Sequence, residues 1–328
     1  MERVYEHQPV MPREILELLN LAPGQVYADA TAGLGGHAAL AARAVGSRGV
    51  VVLNDLDASM LELAAERVRL AQPGVRVELV HGSFAGLPAA LSDLGLTVDA
   101  LVADLGFASP QVDDPSRGFS FRHDGPLDMR LDPSSGMSAA EWLASASEAE
   151  ITEILWTFGE ERGARKIARK VIAKREVEPI TTTRALAELV RSCTTGGGID
   201  PATRTFQALR IVVNDELGAL KTLLGAIGAQ GGPKDLASTP AVSRSAGSGA
   251  SGQRWLAQGA RVAIISFHSL EDRLVKRAFA DLCQQGLAHA LTRKPLTPSE
   301  AELASNRRSR SARLRGVCLV GNQERGPR

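Results

Sequence analysis

The first third of the chain alternates short apolar runs with segments of helical periodicity. The apolar runs recur roughly every 25 residues, as strands joined by helices would, and they cover residues 26–28, 49–53, 75–80 and 98–103. Runs without alternation of polar and apolar positions are typical of strands buried on both faces of a parallel sheet. Residues 38–45 and 59–70 have a helical pattern. The pattern therefore predicts an α/β fold whose parallel strands are connected by right-handed helical crossovers.

In the middle of the chain only helical periodicity remains. Two Ser-x-x-Glu sequences, beginning at Ser138 and Ser147, have the spacing of capping boxes, which start helices. Residues 162–175 form a basic helix with one apolar stripe, and this charge run is either a solvated face or a nucleic-acid contact. We therefore predict an all-helical domain over residues 113–200, inserted after a first α/β part over residues 1–112.

Residues 201–328 return to the α/β pattern. A single long helix is predicted at the start of this part, with an apolar stripe that runs to Leu224 and packs against the sheet. Residues 231–252 are rich in Gly, Ser and Ala and predict a flexible loop. Apolar residues at 262–267 predict a fifth strand, and those at 311–320 predict a last strand at the edge of the sheet.

Composition narrows the classes of function. The 328 residues carry 38 Lys and Arg against 37 Asp and Glu, so the net charge is +1 and any nucleic-acid site must be a local patch. Three widely separated cysteines fit a reducing cytoplasm. The chain has neither a run of roughly 18 apolar residues nor a signal-peptide pattern, so no membrane segment is expected. The six histidines lack metal-ligand spacing, which argues against a metal enzyme.

A glycine-rich turn follows the first predicted strand. Its residues from Gly33 to Ala38 fit the dinucleotide fingerprint G-x-G-x-x-A. The segment from Asp29 to Gly35 equally fits the acidic-x-G-x-G-x-G pattern of S-adenosylmethionine (SAM) methyltransferases, with Thr31 at the first glycine position. Glycines permit a tight strand-to-helix turn whose N–H groups face a ligand, and a purely structural turn is the third alternative.

Acidic and aromatic residues follow the other three strands of the first third. Asp55 comes about twenty residues after Gly33, as a carboxylate that accepts both ribose hydroxyls would, whereas Asp57 suits a helix cap. Phe84 either lies against adenine or belongs to the core. Asp104 ends the fourth strand, where open α/β sheets bind ligands. The sequence lacks the His or Lys/Tyr constellation that a nicotinamide site needs, so these residues favour SAM over NAD.

Six longer motifs follow one another along nearly the whole chain. They are DATAGLGGH (29–37), DLGFASPQVDD (104–114), RGFSF (117–121), DGPLDMR (124–130), PATRTFQALR (201–210) and SFHSLED (266–272). Together they resemble the motifs of the RsmH (MraW) family, the bacterial 16S ribosomal RNA (cytosine-N(4)) methyltransferases. The resemblance implies a Rossmann-like class I SAM methyltransferase sheet with an inserted all-helical domain. It also implies SAM as methyl donor and, as acceptor, a cytosine in the decoding centre of 16S rRNA within the small ribosomal subunit.

The resemblance also implies particular site residues. Carried over position by position, the cofactor contacts are Gly33, Gly35, Gly36, His37, Asp55, Phe84, Asp104 and Gln111. Residues 7–10 resemble the opening of the family. Three departures are visible: Asn54 stands before the second-strand aspartate where an apolar residue is common, and residues 107–108 replace a smaller pair. The third is the Gly/Ser-rich stretch after Gly231, which is longer than expected and is assigned no function.

Methylation of an exocyclic amino group requires assistance, because the lone pair of the cytosine nitrogen is delocalised into the ring. A hydrogen-bond acceptor would hold the amino group toward the methyl group and stabilise the developing positive charge. The chain lacks the Asp/Asn/Ser-Pro-Pro-aromatic tetrapeptide that many amino methyltransferases use, so Asp104 and Ser109 are the candidate catalytic residues.

Candidate RNA contacts lie in the inserted domain, for which we predict a role in RNA recognition, and in the parts of the chain before and after it. They are the aromatic residues Phe107 and Phe119, for stacking or for core packing, and the basic residues Arg117, Arg130, Arg204, Arg210 and His268, with a basic C-terminal tail. The alternative for the segment around His268 is that Ser269 caps a helix. Two other functions stay open: a non-catalytic rRNA-binding assembly factor, and a SAM methyltransferase that acts on DNA or protein. The sequence is compatible with a homodimer.

Overall fold

The computed structural model describes residues 8–193, 198, 200–230 and 254–320. The predicted loop at 231–252, most of the glycine run before Pro201, His7 and the last eight residues of the basic tail lie outside the described residues. The chain divides into two compact units. We call residues 6–106 with 219–328 the sheet unit, and residues 107–218 the helical unit.

A seven-stranded sheet forms the centre of the sheet unit. Its strands are β1 (Val26–Asp29), β2 (Val50–Asp55), β3 (Arg76–His81), β4 (Val98–Asp104), β5 (Leu256–Ser266), β6 (Ala288–Ala290) and β7 (Arg313–Leu319). The order is β3-β2-β1-β4-β5-β7-β6, and β1 to β5 run parallel while β7 is antiparallel to both of its neighbours. The predicted parallel sheet of five strands is confirmed. The prediction that the last strand lies at the edge is wrong, because the short β6 pairs with its outer side.

Thirteen α-helices lie in the described residues. They are α1 (Pro12–Leu19), α2 (Gly36–Val45), α3 (Ala58–Ala71), α4 (Leu87–Asp93), α5 (Ser109–Asp113), α6 (Ala139–Ser145), α7 (Glu148–Thr157), α8 (Ala164–Arg175), α9 (Thr183–Arg191), α10 (Ala202–Val213), α11 (Glu216–Gln230), α12 (Ser269–Gln284) and α13 (Glu300–Ser305). Within the same residues, no helix combines the length and the apolar composition that crossing a membrane requires.

Two apolar cores cover the two faces of the sheet. Tyr27 and Val51 point into one core with residues of α1, α2 and α3, while Ala28 and Val52 point into the other with residues of α4, α11 and α12. Successive strand residues are thus buried on opposite faces, which explains why the strands read as continuous apolar runs. The layered α/β arrangement brings the carboxyl ends of β1 to β5 to one edge.

The helical unit has an apolar core of its own. Residues of α6, α7, α8, α9 and α10 fill it, among them Leu143, Ile154 and Ile167. Both predicted capping boxes are present: the Ser138 and Ser147 hydroxyls each accept the N–H three residues on, and each glutamate returns the bond. The all-helical composition predicted for this part of the chain is confirmed in the described residues.

The predicted single long helix is in fact two helices, α10 and α11. As a result, the boundary between the helical unit and the sheet unit lies later in the chain than predicted. Asp215 adopts a left-handed backbone, with φ of 47°, and breaks the helix. The Asn214 amide side chain holds the break: it accepts from the Leu131 N–H at 2.7 Å and donates to the Met129 carbonyl at 2.8 Å. The apolar stripe is therefore shared: its first half packs in the helical core and its second half against the sheet. The helical unit accordingly spans 107–218 rather than the predicted 113–200.

Candidate active site at the strand termini

The turn after β1 is built so tightly that one position excludes any side chain. Gly33 and Gly35 have φ of 48° and 72°, in the left-handed region. A Cβ atom on Gly35 would lie 2.8 Å from the Ala64 Cα and 2.9 Å from the Ala64 carbonyl oxygen in α3. Glycine at this position lets the turn pack against α3, and the first N–H groups of α2 have no partner within the helix.

Asp55 connects this turn to the end of β2. Its carboxylate accepts the Gly33 N–H at 2.8 Å and the Asp57 N–H at 2.9 Å. Burial raises the pKa of Asp55, although the two backbone donors oppose that shift. Asp57 caps α3 by accepting the Ser59 N–H, as predicted. Each Asp55 oxygen has a further lone pair, so the carboxylate can accept additional hydrogen bonds.

A buried cluster of polar side chains joins the ends of β1 and β4. Asp29 accepts the Tyr27 hydroxyl at 3.1 Å and the Thr31 N–H at 3.2 Å. The Thr31 hydroxyl accepts the Asp104 N–H at 2.7 Å. The His37 Nε2 lies 3.6 Å from an Asp104 carboxylate oxygen, an ion-pair distance. Two of the predicted site residues, His37 and Asp104, therefore meet at the edge of the sheet together with Asp29, the acidic residue of the glycine motif.

Several atoms of this cluster keep unused hydrogen-bonding capacity. Neither ring nitrogen of His37 has a hydrogen-bond partner among the described residues, and one Asp104 oxygen is also without one. Buried polar atoms without partners are costly and are often found where a ligand binds. The cluster, the first N–H groups of α2 and Asp55 together fit a polar ligand with hydroxyl and charged groups.

Electrostatics in the cluster favours protonation. Burial, partly opposed by His37 and by the hydrogen bonds that Asp29 accepts, raises the pKa of Asp29 to about 6. Burial alone would lower the pKa of His37, but Asp104, with smaller contributions from Asp29 and Glu302, raises it above its usual value. Asp29 and His37 therefore hold protons more tightly than the same groups would in an unfolded chain.

We expect the Asp29→Asn variant to be more stable than the wild type above pH 6. Between its usual pKa of 3.8 and the folded value of about 6, the folded protein keeps a proton on Asp29 that the unfolded chain releases. Stability therefore falls as pH rises through this window, by roughly 1.4 kcal/mol for each unit of pKa difference. Asparagine cannot ionise, so the variant should gain about 3 kcal/mol at pH 7.

Denaturant unfolding between pH 4 and 8 measures this difference. The loss between pH 4 and 6 should be smaller in Asp29→Asn than in the wild type and should persist in full in Glu62→Gln, which alters an exposed carboxylate on α3. Equal stability of Asp29→Asn and the wild type at every pH would contradict the protonation of Asp29.

Asn54, which differs from the apolar residue common at this position in the family, stabilises the end of the third strand. The buried Asn54 side chain donates to the carbonyls of Val80 and Gly82, both at 2.8 Å, and fixes the turn after β3. Phe84 follows this turn; it is half-buried and packs against the sheet core. Both alternatives for Phe84 therefore remain compatible with its position, and its contact with adenine stays a prediction.

In the helical unit, α5 begins just after the segment that follows β4. The buried Gln111 side chain accepts the Ala108 N–H at 2.8 Å and so caps α5, while Ser109 is its first residue and half-buried. The proposed cofactor contact of Gln111 stays a prediction.

The predicted arginine contacts with RNA fall into two groups: those held by other residues of the helical unit, and one that is exposed. Arg117 donates to the carbonyls of Arg130 and Leu131, and Arg130 is bidentate with Asp128 at 2.9 and 2.7 Å. Arg210 is also held by a carboxylate, whereas Arg204 is exposed on α10. The first group orders the helical unit, and its contact with RNA stays a prediction.

His268 rather than Ser269 caps α12, which corrects the alternative considered for this segment. Its ring accepts the Glu271 N–H at 3.4 Å, and Glu271 accepts the His268 N–H in return. The Glu271 carboxylate also accepts the Phe267 N–H at 2.8 Å. The proposed RNA contact of His268 stays a prediction.

The sheet order, the antiparallel β7 and the glycine and acidic residues at the carboxyl edge define the chain as a Rossmann-like methyltransferase. The sequence profile of the MraW methylase family matches residues 4–230 and 250–319, so the chain belongs to that family. This confirms the fold class and the family predicted from the motifs.

Curated relatives agree with this assignment. The chain is 44% identical to a ribosomal RNA small subunit methyltransferase H from Syntrophotalea carbinolica, over 96% of this chain and 98% of the relative. It is 40% identical to the protein of the same name from Geotalea uraniireducens, over 95% and 98% of the two chains. Among solved structures, a SAM-dependent O-methyltransferase from Thermotoga maritima has 12% identity and a TM-score of 0.38, covering 98% of this chain and 70% of that one. The family assignment rests on the sequence comparisons.

Proposed function

We propose that this chain is a SAM-dependent methyltransferase that methylates N(4) of a cytosine in the decoding centre of 16S rRNA, in the cytoplasm. The observation that carries the proposal is the buried cluster of Asp29, His37 and Asp104 beside Asp55, in a chain of the MraW methylase family. The names of its relatives support a small-subunit rRNA substrate. The cytosine, its N(4) position, the absence of a metal and the homodimer are predictions that extend beyond these names.

The residues at the strand ends fit SAM, which supplies a methyl group on a positively charged sulfur. In this proposal Asp55 accepts the ribose hydroxyls and Phe84 lies against adenine. The turn from Gly33 to Gly36 offers N–H groups, and Asp104 with His37 binds the amino-acid end. The His37 nitrogen atoms and the Asp104 oxygen that make no hydrogen bond among the described residues support this arrangement, because a zwitterionic amino acid has donors and acceptors for both.

Two residues are candidates for orienting the acceptor amino group. The Asp104 oxygen without a partner would accept an amino hydrogen and stabilise the positive charge that develops on nitrogen. Ser109 lies five residues further along the chain and would do the same through its hydroxyl. Both would hold the nitrogen in line with the donor, and such positioning supplies much of the acceleration of a displacement reaction.

Nucleoside analysis tests the proposal. Small subunits from a strain lacking this chain, incubated with the purified protein and labelled SAM, should yield N(4)-methylcytosine derivatives after digestion. Binding of the subunits without turnover would favour the non-catalytic assembly factor instead. Label appearing only in added DNA or protein would favour the third function.

We expect Arg204→Ala to weaken binding of small subunits without changing the affinity for SAM. Arg204 is exposed on α10, so its guanidinium is available to a phosphate, and losing one such contact should reduce the slope of affinity against salt by about 1. Filter binding at several salt concentrations measures that slope. Arg69→Ala, at an exposed site on α3, is the matched control. If both variants weaken binding equally, Arg204 has no specific role.

A further inference from the structure

The segment between Leu296 and Leu314 forms a closed loop at the carboxyl edge of the sheet. Leu296 and Leu314 pair as an isolated antiparallel bridge, with N–H to carbonyl distances of 2.9 and 3.0 Å. Arg313, the first residue of β7, pairs with Ser266 at the carboxyl end of β5. Because β1 to β5 are parallel, the loop lies at the same edge as the candidate active site. We call residues 297–313 the arginine loop.

A second contact fixes the arginine loop near the glycine turn. The Glu302 carboxylate, in α13, accepts the Met11 N–H at 2.7 Å. Pro9 is two residues before Met11, so their Cα atoms are at most about 7 Å apart. Pro9 packs against the turn itself, because a Cβ on Gly36 would lie 3.0 Å from the Pro9 Cβ. The loop and the turn proposed to bind SAM both belong to the sheet unit.

The second half of the arginine loop contains a short 3-10 helix, Arg307–Ser311. A 3-10 helix has about three residues per turn, so side chains three positions apart lie on the same face. Ser309 and Ala312 mark the buried face, with 0% and 1% exposed. The exposed residues with the same spacing are Arg307, Arg310 and Arg313. The first two are about 6 Å apart along the helix axis, a spacing similar to that of successive phosphates on one RNA strand.

The order of this loop does not depend on these guanidinium groups. The Asn306 side chain accepts the Arg308 N–H at 3.2 Å, and the Ser309 hydroxyl donates to the Asn306 carbonyl at 2.8 Å. Within the described part of the chain, Arg307 and Arg310 form no ion pair. Backbone and short side chains thus order the loop, and the two guanidinium groups are available to an external anion.

The neighbouring carboxylate is used mainly by another arginine. Arg315 donates to both oxygens of Asp272 at 2.7 and 3.2 Å, and the two side chains are 12% and 13% exposed. Arg313 lies 3.8 Å from the same carboxylate, but its side chain is 55% exposed. One negative charge beside two guanidinium groups leaves this end of the loop positively charged. Of the predicted basic tail, Arg315 is therefore structural, whereas Arg313 faces solvent.

We propose that Arg307, Arg310 and Arg313 bind phosphates of the RNA strand that carries the acceptor base to the ends of the strands. This inference rests on the proposed rRNA methylation and names the surface that holds RNA beside the cofactor site. The planar fork of arginine matches phosphate geometry, and phosphate contacts position a nucleic acid without reading its sequence. A row of exposed guanidinium groups is complementary to the row of negative charges along an RNA strand.

Binding of small subunits at several salt concentrations tests this surface. Combining Arg307→Gln, Arg310→Gln and Arg313→Gln should lower the slope of log affinity against log salt by about 2 to 3. The deficit relative to the wild type should therefore shrink by roughly 15- to 60-fold between about 50 and 200 mM salt. Lysine at the same three positions keeps the charge and should retain the slope. Affinity for SAM and thermal stability should be unchanged in both variants.

Arg43, Arg48 and Arg69 provide a matched control in the sheet unit. All three are exposed. They lie in the last turns of α2 and α3 and just before β2, toward the opposite edge of the sheet. Replacing all three with glutamine removes the same charge and should leave the slope nearly unchanged. Equal losses in the control and the loop variant would mean that only net charge matters, and would overturn the proposed surface.

The remaining outcomes separate this surface from the proposed function. Wild-type protein that does not methylate small subunits overturns the proposed function, and the delivery of an acceptor base with it. Active wild type whose slope is unchanged by the loop substitutions overturns the surface alone. A difference seen with small subunits but not with protein-free 16S rRNA would place the arginines against a ribosomal protein and overturn the RNA contact. A parallel loss of thermal stability or of SAM affinity would make the arginines structural, with the same consequence.

Discussion

Gly35→Ala is expected to lose most of the affinity for SAM and a large part of its folding stability. The added Cβ would lie 2.8 Å from the Ala64 Cα, and neither this backbone nor the turn can move without separating α2 from α3. The left-handed φ of 72° adds strain of about 1–2 kcal/mol for a residue with a side chain. Together with overpacking, the free energy of unfolding should fall by about 3–5 kcal/mol.

Gly46→Ala is the matched control for this experiment. Gly46 ends the same helix with φ of 69°, but a Cβ there would meet no atom within 4 Å. Denaturant unfolding and calorimetry with SAM should show the backbone cost alone, with unchanged cofactor affinity. Equal losses of SAM affinity in both variants would mean that the contact with α3 does not matter for cofactor binding.

Asp55→Ala is expected to lower the affinity for SAM by about 100-fold or more. The proposed ribose contacts are hydrogen bonds to a charged group, worth roughly 1.5–3 kcal/mol each. The substitution also frees the N–H groups of Gly33 and Asp57, so the glycine turn loses its tie to β2. Isothermal titration with SAM measures the affinity, and thermal unfolding measures the loss of stability that results from the lost hydrogen bonds.

The neighbouring Asp57 separates the two effects. Asp57→Ala removes the cap of α3 and should cost roughly 0.5–2 kcal/mol of stability. Its affinity for SAM should nevertheless stay close to that of the wild type, because the Asp57 backbone N–H remains in place. An unchanged affinity in Asp55→Ala would exclude the ribose role.

Much of the sheet could be predicted because β1, β2 and β4 are buried on both faces, whereas the edge strand β3 is partly exposed. Apolar residues marked β1 to β4, and acidic residues at the ends of β1, β2 and β4 marked the edge where a ligand would bind. The position of β7 could not be predicted, because the three-residue β6 beyond it is too short to give a pattern.

The division of the long helix could not be predicted for a different reason. The apolar stripe continues through Asn214 and Asp215 with helical spacing, and only the tertiary bonds from Asn214 to Met129 and Leu131 stabilise the break. Local pattern carries no information about such distant partners.

The same limit applies to the functional side chains: the sequence pattern locates them but does not identify their partners in the folded protein. The motifs located Asp55, His37 and Asp104, which do lie at the strand ends. The partners of Arg130 and Arg210 were not foreseen, although Asp128 and Glu216 are only two and six residues away. A charged residue near an arginine in sequence is a pairing candidate, and this signal could have separated structural arginines from exposed ones such as Arg204.

The placement of the helical unit between β4 and β5 has a consequence for synthesis of the chain. β4 is the central strand of the sheet, yet about 150 residues separate its end at Asp104 from Leu256, where its partner begins. At roughly 5–20 residues per second, the ribosome takes about 10–30 seconds to deliver that partner. During this interval the nascent chain exposes an apolar strand edge, so we expect chaperones to engage it before β5 emerges.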